Sequence, residues 1–377
     1  MAHLQRAGNF SDAINGATTL AAIRIAQGCL HDAMLTYEQA LQLATEQGAI
    51  VPRGTADMYV GMSELHREHN DLHAATQHLL RSKELGEHTG FPQNQYRWPI
   101  AMARIREAQG DLDGTLDLLH EAEFLYVSAF SPNVHPIAAQ KTRVWVAQGR
   151  LGEALSWARE QGLTAEDNLS YLREFEHITL VRILLAQYGS DHTDSSIRDA
   201  IGLLERLVKA AQEGGRMGSV IEILVLQALA HHAQGDISSA LIPLQQALML
   251  AEPQGYIRIF LDEGSPMGQL LREAAARRIM PNYTGKLLAG FGAEQNRSAD
   301  ESPFLTAPAS QPLIEPLSQR ELEVLHLFKT DLLGPEIARE LVIALSTVRT
   351  HSKSIYSKLN VNDRRAAVKR AAELNLI

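Results

Sequence analysis

The sequence predicts an all-α protein, a solenoid of stacked helical hairpins followed by a small helical head at the C-terminal end. Three observations carry that prediction. A phrase of the form Ala-Gln-Gly recurs along the first 260 residues, apolar residues recur at three- and four-residue spacing between its copies, and the last 61 residues open on a helix-capping motif.

The phrase stands at Ala26-Gln27-Gly28, Ala108-Gln109-Gly110, Ala147-Gln148-Gly149 and Ala233-Gln234-Gly235, and His69-Asn70-Asp71 occupies the same place between the first two. The anchors at 28, 70, 110 and 149 lie 42, 40 and 39 residues apart. Five positions after each glycine comes a small residue, Ala33, Thr115, Ala154 or Ala240, with Ala75 serving the Asn70 unit. Each unit therefore predicts a helix, a tight turn made by Gly or Asn in a left-handed conformation, and a second helix that approaches the first at the small residue. Leu30, Ala33, Met34, Tyr37, Ala40, Leu41 and Ala44 show the apolar stripe of one such helix. Hairpins of this kind bury nothing alone and must stack. The polar run Gly189 to Ser195 predicts a longer loop in the unit around 189.

Residues 291–316 hold Gly, Asn, Ser and Asp with prolines at 303, 308, 312 and 316, which predicts a flexible or extended linker. The division is then 1–290 for the repeats, 291–316 for the linker and 317–377 for the head.

The head opens with Ser318-Gln319-Arg320-Glu321, in which the Ser hydroxyl can accept the Glu321 amide while the carboxylate reaches back to the first amide. Leu322, Leu325 and Phe328 form the stripe of that helix. Pro335, suited to a first helical position, starts a second helix carrying Ile337 and Leu341. Four residues, 342–345, lead to a third helix from about Ser346 to Leu359, which is helix-turn-helix spacing. Val348, Ile355 and Leu359 share one face of it and predict burial. The opposite face presents Ser346, Arg349, Thr350, Lys353 and Ser357, and such a face suits a DNA major groove, because Arg grips guanine O6 and N7 together while hydroxyls bond phosphates or bases. A fourth helix from about Arg364 to Leu374 carries Ala367, Val368, Ala371 and Leu374, a stripe that can cover the head's own core or serve as an interface.

These residues resemble a known family. Leu317-Ser318-Gln319-Arg320-Glu321, Glu323-Val324-Leu325, Glu336-Ile337-Ala338, Thr347-Val348-Arg349-Thr350-His351, Ile355-Tyr356-Ser357-Lys358-Leu359 and Arg364 with Ala366 follow the LuxR-type helix-turn-helix pattern in order and spacing. The resemblance implies a four-helix DNA-binding domain that reads bases through Arg349, Thr350 and Lys353, with Thr347, His351 and Lys358 near the phosphate backbone and with heads pairing through the fourth helix on DNA. Asp331, Gly334, Ala344 and Ser352 depart from the pattern: Ala344 stands where the family has a capping Ser, at a cost of about 1 kcal/mol unless Ser346 takes over. The hairpins resemble tetratricopeptide repeats, and Ala251 to Gly264 with Pro266-Met267 resembles the segment that closes the repeat domain of MalT-like regulators. Such regulators usually carry an ATP-binding module upstream, and no Gly-x4-Gly-Lys-Ser/Thr loop occurs here; the chain is expected to be either a C-terminal portion of a longer regulator or one of a subset lacking that module.

Composition agrees with this division of labour. The net charge is −9, yet the head holds ten Lys and Arg against seven Asp and Glu, leaving 25 against 37 in the residues before it. Phosphate attraction is thereby confined to the head. There is no apolar run of membrane-spanning length and no signal-peptide order at the N-terminus, so a cytoplasmic protein without membrane contact is expected. The single Cys29 excludes an internal disulfide framework. His66, His69, His73 and His78 are near one another, but the turn at Asn70-Asp71 breaks the helical spacing that two metal ligands need. No nucleophile elbow or His-Glu-x-x-His is present, and neither catalysis nor a cofactor is expected.

The expected function is a transcription regulator, an activator, whose head binds double-stranded promoter DNA as a homo-oligomer and whose repeats bind a protein or small-molecule effector. The alternative is a protein-interaction scaffold whose head no longer reads DNA.

Overall fold

The computed structural model describes residues 10–46, 51–86, 89–127, 133–300, 317–330, 332–359, 361 and 363–373. Among them are nineteen α-helices and no strand. The first twelve pair as six hairpins: α1 (Phe10–Ala26) with α2 (Leu30–Glu46), α3 (Thr55–Glu68) with α4 (Leu72–Leu85), α5 (Asn94–Ala108) with α6 (Leu112–Phe124), α7 (Ile137–Ala147) with α8 (Leu151–Glu160), α9 (Glu174–Asp191) with α10 (Asp194–Glu213), and α11 (Met217–Ala233) with α12 (Ile237–Ala251).

The turns follow from the recurring phrase. Gly28, Asn70, Gly110, Gly149 and Gly235 have φ of 79°, 63°, 81°, 73° and 80°, the left-handed conformation that ends one helix and reverses the chain. Asp71, Asp111 and Asp236 then cap the second helix, each accepting the amide of the residue three positions on at 2.9 to 3.0 Å. Ala33, Ala75, Thr115, Ala154 and Ala240 are all 1% exposed or less, at the closest approach of the paired helices. Between successive hairpins the fit is equally close: a Cβ on Gly61 of α3 would sit 2.2 Å from the hydroxyl of Tyr37 of α2.

The long loop expected at 189–195 does not form. Helix α9 runs through Gly189 and Ser190 to Asp191, and only His192 and Thr193 separate it from α10. His192 takes the left-handed conformation (φ 52°) that glycine takes elsewhere, and the Asp191 carboxylate accepts the Thr193 amide at 2.9 Å. The polar run is polar because this helix end is exposed, not because it is a loop.

After six hairpins the solenoid comes round on itself. The segment after α12, with the short helix α13 (Arg258–Leu261), lies against the ends of the first two hairpins. The Ile257 amide donates to Glu68 O at 3.0 Å and the Ile259 amide to the Glu68 carboxylate at 2.9 Å, while Gln254 O meets His69 Nε2 at 3.1 Å. Arg258, 3% exposed, and Arg67 both pair with Asp262. At the same seam, a Cβ on Gly218 of α11 would stand 3.1 Å from Ile25 O of α1. The result is a closed helical ring, completed by α14 (Gly264–Ala276) and α15 (Pro281–Asp300). Helix α15 extends ten residues into the stretch expected as linker, because no proline or glycine interrupts 293–300; residues 301–316 are outside the described residues.

The head has a core of its own, built from α16 (Gln319–Leu327), α17 (Gly334–Glu340), α18 (Leu345–Leu359) and α19 (Arg364–Glu373). Val324, Leu325, Phe328, Ile337, Val348, Ile355, Leu359, Ala367 and Ala371 fill it. Val324 is fully buried where Leu322 was expected, and Leu322 is only half-buried.

Candidate nucleic-acid interface and polar lumen

Two charged side chains, the buried Glu321 and the half-buried Arg364, brace the head. Glu321, 4% exposed, closes the capping box by accepting the Ser318 amide at 2.6 Å, while Ser318 Oγ accepts the Glu321 amide at 3.3 Å. The same carboxylate accepts from the Ser354 hydroxyl and pairs with Lys358 Nζ at 2.9 Å, so it ties α16 to α18. Burial alone would raise its pKa, but the Ser354, Ser318 and Lys358 hydrogen bonds outweigh burial and hold it at about 2. Arg364, opening α19, donates to the carbonyls of Phe328, Leu327 and Thr330 at 3.0, 3.0 and 2.7 Å and also to Leu332 O. It thereby caps the C-terminal end of α16 with a cation and packs its guanidinium over the Phe328 ring at 5.2 Å.

With α18 held in this way, Val348, Ile355 and Leu359 point inward, and Ser346, Thr350 and Lys353 are exposed on the outer face. Thr347 and His351 are half-buried at its margins. Lys358 is turned to Glu321 inside the head, and the Ser357 side chain lies outside the described residues. Ser346 does not stand at the cap position: α18 begins at Leu345, and Ala344 O accepts the amides of Thr347 and Val348 at 2.9 and 3.2 Å while its methyl side chain can accept nothing. Ser352, at a seam position, bonds its hydroxyl back to Val348 O at 2.8 Å, which satisfies it among apolar neighbours. On α19, Ala367 and Ala371 are fully buried and Val368 packs against the same core, so these three residues cover the head itself; Leu374 is outside the described residues.

Arg349 is not free. Its guanidinium is ion-paired with Glu121, on α6 of the repeat ring. One turn earlier on α6, Asp117 accepts the Gly334 amide at 3.2 Å, at the start of α17. A Cβ on Gly334 would lie 3.3 Å from the Asp117 carboxylate, so the glycine permits this close seat. Burial raises the Asp117 pKa, and the Gly334 amide and Arg349 offset part of that rise.

The inner side of the ring, its lumen, is lined by paired charges. Arg143 of α7 reaches Glu222 of α11 at 2.8 Å, and Arg182 of α9 reaches Glu222 at 2.9 Å and Glu263 at 2.7 Å. Arg97 and Arg104 of α5 lie 3.8 and 4.0 Å from Glu64 of α3. Pairs that link helices of separate hairpins require the first helices to share an interior face. Burial would raise the Glu222 carboxyl, but Arg143 and Arg182 bring it down to about 2. Arg143 lies over the Phe175 ring at 3.7 Å, and His135 meets that ring edge-on at 4.7 Å. The Nη2 atom of Arg143 and the Nε atom of Arg182 are buried without hydrogen-bond partners among the described residues. Charged, half-buried side chains concentrated on a concave face can bind a polar ligand.

The remaining histidines do not form a comparable site. His66 stacks on His78 at 4.8 Å, His69 is engaged by Gln254 O, and among the described residues no group of three or more His, Cys, Asp or Glu is arranged to hold a metal. Cys29 is half-buried at the first turn and not in the core. No helix among the described residues is long and apolar enough to cross a membrane.

Comparison with known proteins agrees with both halves. The model of the MalT-like TPR (tetratricopeptide) region matches residues 1–277, nearly three quarters of the chain. The chain belongs to the MalT-like family. A second model, bacterial regulatory proteins of the luxR family, matches residues 315–371, the four-helix head. Among curated relatives, the HTH-type transcriptional regulator MalT of Cronobacter sakazakii is 29% identical over 298 residues, covering 75% of this chain and 32% of the relative. The protein of that name from Serratia proteamaculans is 28% identical over 374 residues, covering 93% of this chain and 40% of the relative. The chain thus spans well under half the length of these relatives.

Within this MalT-like chain, sequence reading missed three features. Arg364 entered only as part of a motif, and its four carbonyl partners come from a turn that spacing does not specify. The lumen arginines are scattered through three helices, α5, α7 and α9, and only the stacking of the hairpins brings them to their carboxylate partners. The acidic spacing Asp113, Asp117, Glu121 on α6 was readable as a stripe at four-residue intervals, but nothing local says what faces it.

Proposed function

We propose that this chain is a DNA-binding transcription regulator, an activator, whose head reads double-stranded promoter DNA and whose repeat ring takes up a protein or small-molecule effector. The observation that carries the reading is the outer face of α18, where Ser346, Thr350 and Lys353 are exposed on a helix tied to α16 by Glu321. In this reading Arg349, Thr350 and Lys353 contact base edges, Thr347, His351 and Lys358 touch or approach the phosphates, and the Ser346 and Ser357 hydroxyls bond phosphates or bases. The luxR-family match and the MalT relatives, which are HTH-type transcriptional regulators by name, support it. The lumen around Arg104, Arg143 and Arg182 is the proposed seat of the effector, with charged groups to orient a polar ligand. One small head covers only about 600 to 1,000 Å² of DNA, so two or more chains act together on an operator.

Genome-wide mapping of the chain on DNA tests this function. Discrete promoter sites that disappear in the Lys353→Ala variant are expected. A signal scattered without sequence preference contradicts it.

A further inference from the structure

Helix α6 lies within the repeat ring, yet its residues meet the two helix-turn-helix elements of the head. Glu121 pairs with Arg349 on the recognition face, and Asp117 receives the Gly334 amide. These carboxylates, with Asp113, stand at four-residue spacing and so share one side of α6. The pairing occupies the long cation that the DNA-reading face would extend toward a guanine, so Arg349 cannot reach a base while the seat is held, although Ser346, Thr350 and Lys353 beside it stay exposed.

The seat is also made to come apart. Arg349 keeps a side chain 36% exposed and Glu121 one 26% exposed, so the pair is a partly solvated ion pair. Arg349 Nη2 is shut off from water and has no hydrogen-bond partner among the described residues. A guanidinium held by one carboxylate and short of one bond gains by exchanging that carboxylate for the two acceptors of a guanine edge. The α6 helix packs directly on α5, whose Arg97 and Arg104 lie in the lumen, so the seat is one helix removed from the proposed effector position.

We propose that the acidic side of α6 is an internal stand-in for DNA, which holds the recognition helix closed until the head is released. The inference rests on the proposed base-reading role of Arg349.

The test begins with the head, residues 317–377, whose core is separate from that of the ring. It is used to select a binding duplex from a random-sequence pool. The affinity of the full chain for that duplex is then measured at one salt concentration for the parent and for Glu121→Gln, Asp117→Asn and the double variant. All three changes keep side-chain shape, and thermal unfolding of the ring confirms that each folds. The isolated head and the double variant are expected to bind about three- to tenfold more tightly than the parent, the scale set by a partly solvated ion pair and one charged hydrogen bond. If the head selects a duplex and the full-length variants bind it no better than the parent, the masking proposal is overturned. If the head selects nothing, it is the DNA-reading assignment that fails.

Discussion

Arg349 of the recognition helix is ion-paired with Glu121 of the repeat ring, so the residue with the strongest claim to reading DNA is engaged by a carboxylate 228 positions earlier in the same chain. A solvated basic face would leave this arginine to water. The pairing joins the two halves of the molecule through the side chain on which the proposed function depends.

The first prediction concerns Glu321. Its carboxyl ionises at about 2 in the folded head, against an ordinary value of 4.5. A depressed folded value contributes stability that is fully present above 4.5 and is lost as pH falls toward 2. Glu321→Gln is expected to destabilise the isolated head by about 2 to 3 kcal/mol at pH 7 and to flatten its stability between pH 5 and 2. Urea unfolding followed by circular dichroism across that range measures both effects, and parallel pH profiles for parent and variant would contradict the assignment.

Arg364 provides the second. Removing a cation that serves four carbonyls leaves the end of α16 unsatisfied inside the head. Arg364→Ala is expected to cost at least about 3 kcal/mol, enough to unfold a small domain or nearly so, with Arg364→Lys intermediate because an ammonium lacks the planar fork. The ring should melt unchanged. Differential scanning calorimetry of the full chain resolves the two transitions.

The third is a gain. Because α18 starts at Leu345 and the Ala344 methyl before it can accept nothing, Ala344→Ser supplies an oxygen for the amide of residue 346 or 347. A stabilisation of about 0.5 to 2 kcal/mol is expected in the same calorimetric trace. No change in the head transition would show that this end is satisfied in another way.

What the sequence made legible follows from where the information is stored. The hairpins are written locally: Gly28, Gly110, Gly149 and Gly235 take the left-handed turn, and Ala33, Ala154 and Ala240 pack five residues on. The capping box at Ser318 and Glu321 is equally local and is present as read. The Gly189 to Ser195 run misled because a left-handed His192 does the work of glycine, and composition alone does not distinguish an exposed helix end from a loop. The lumen pairs join residues 33 to 81 positions apart, and the ring closure and the Glu121 contact join residues 185 to 228 apart, whose meeting no local pattern specifies.

The outer face of α18 is the central claim, and the affinity of a selected duplex for Arg349→Ala and Lys353→Ala, at one salt concentration and beside the thermal stability of each variant, tests it most directly. Both substitutions are expected to leave the head folded and to weaken specific binding by about 1 to 3 kcal/mol each, with relaxed sequence preference. Parent-like affinity in both folded variants would contradict the assignment of this face to DNA.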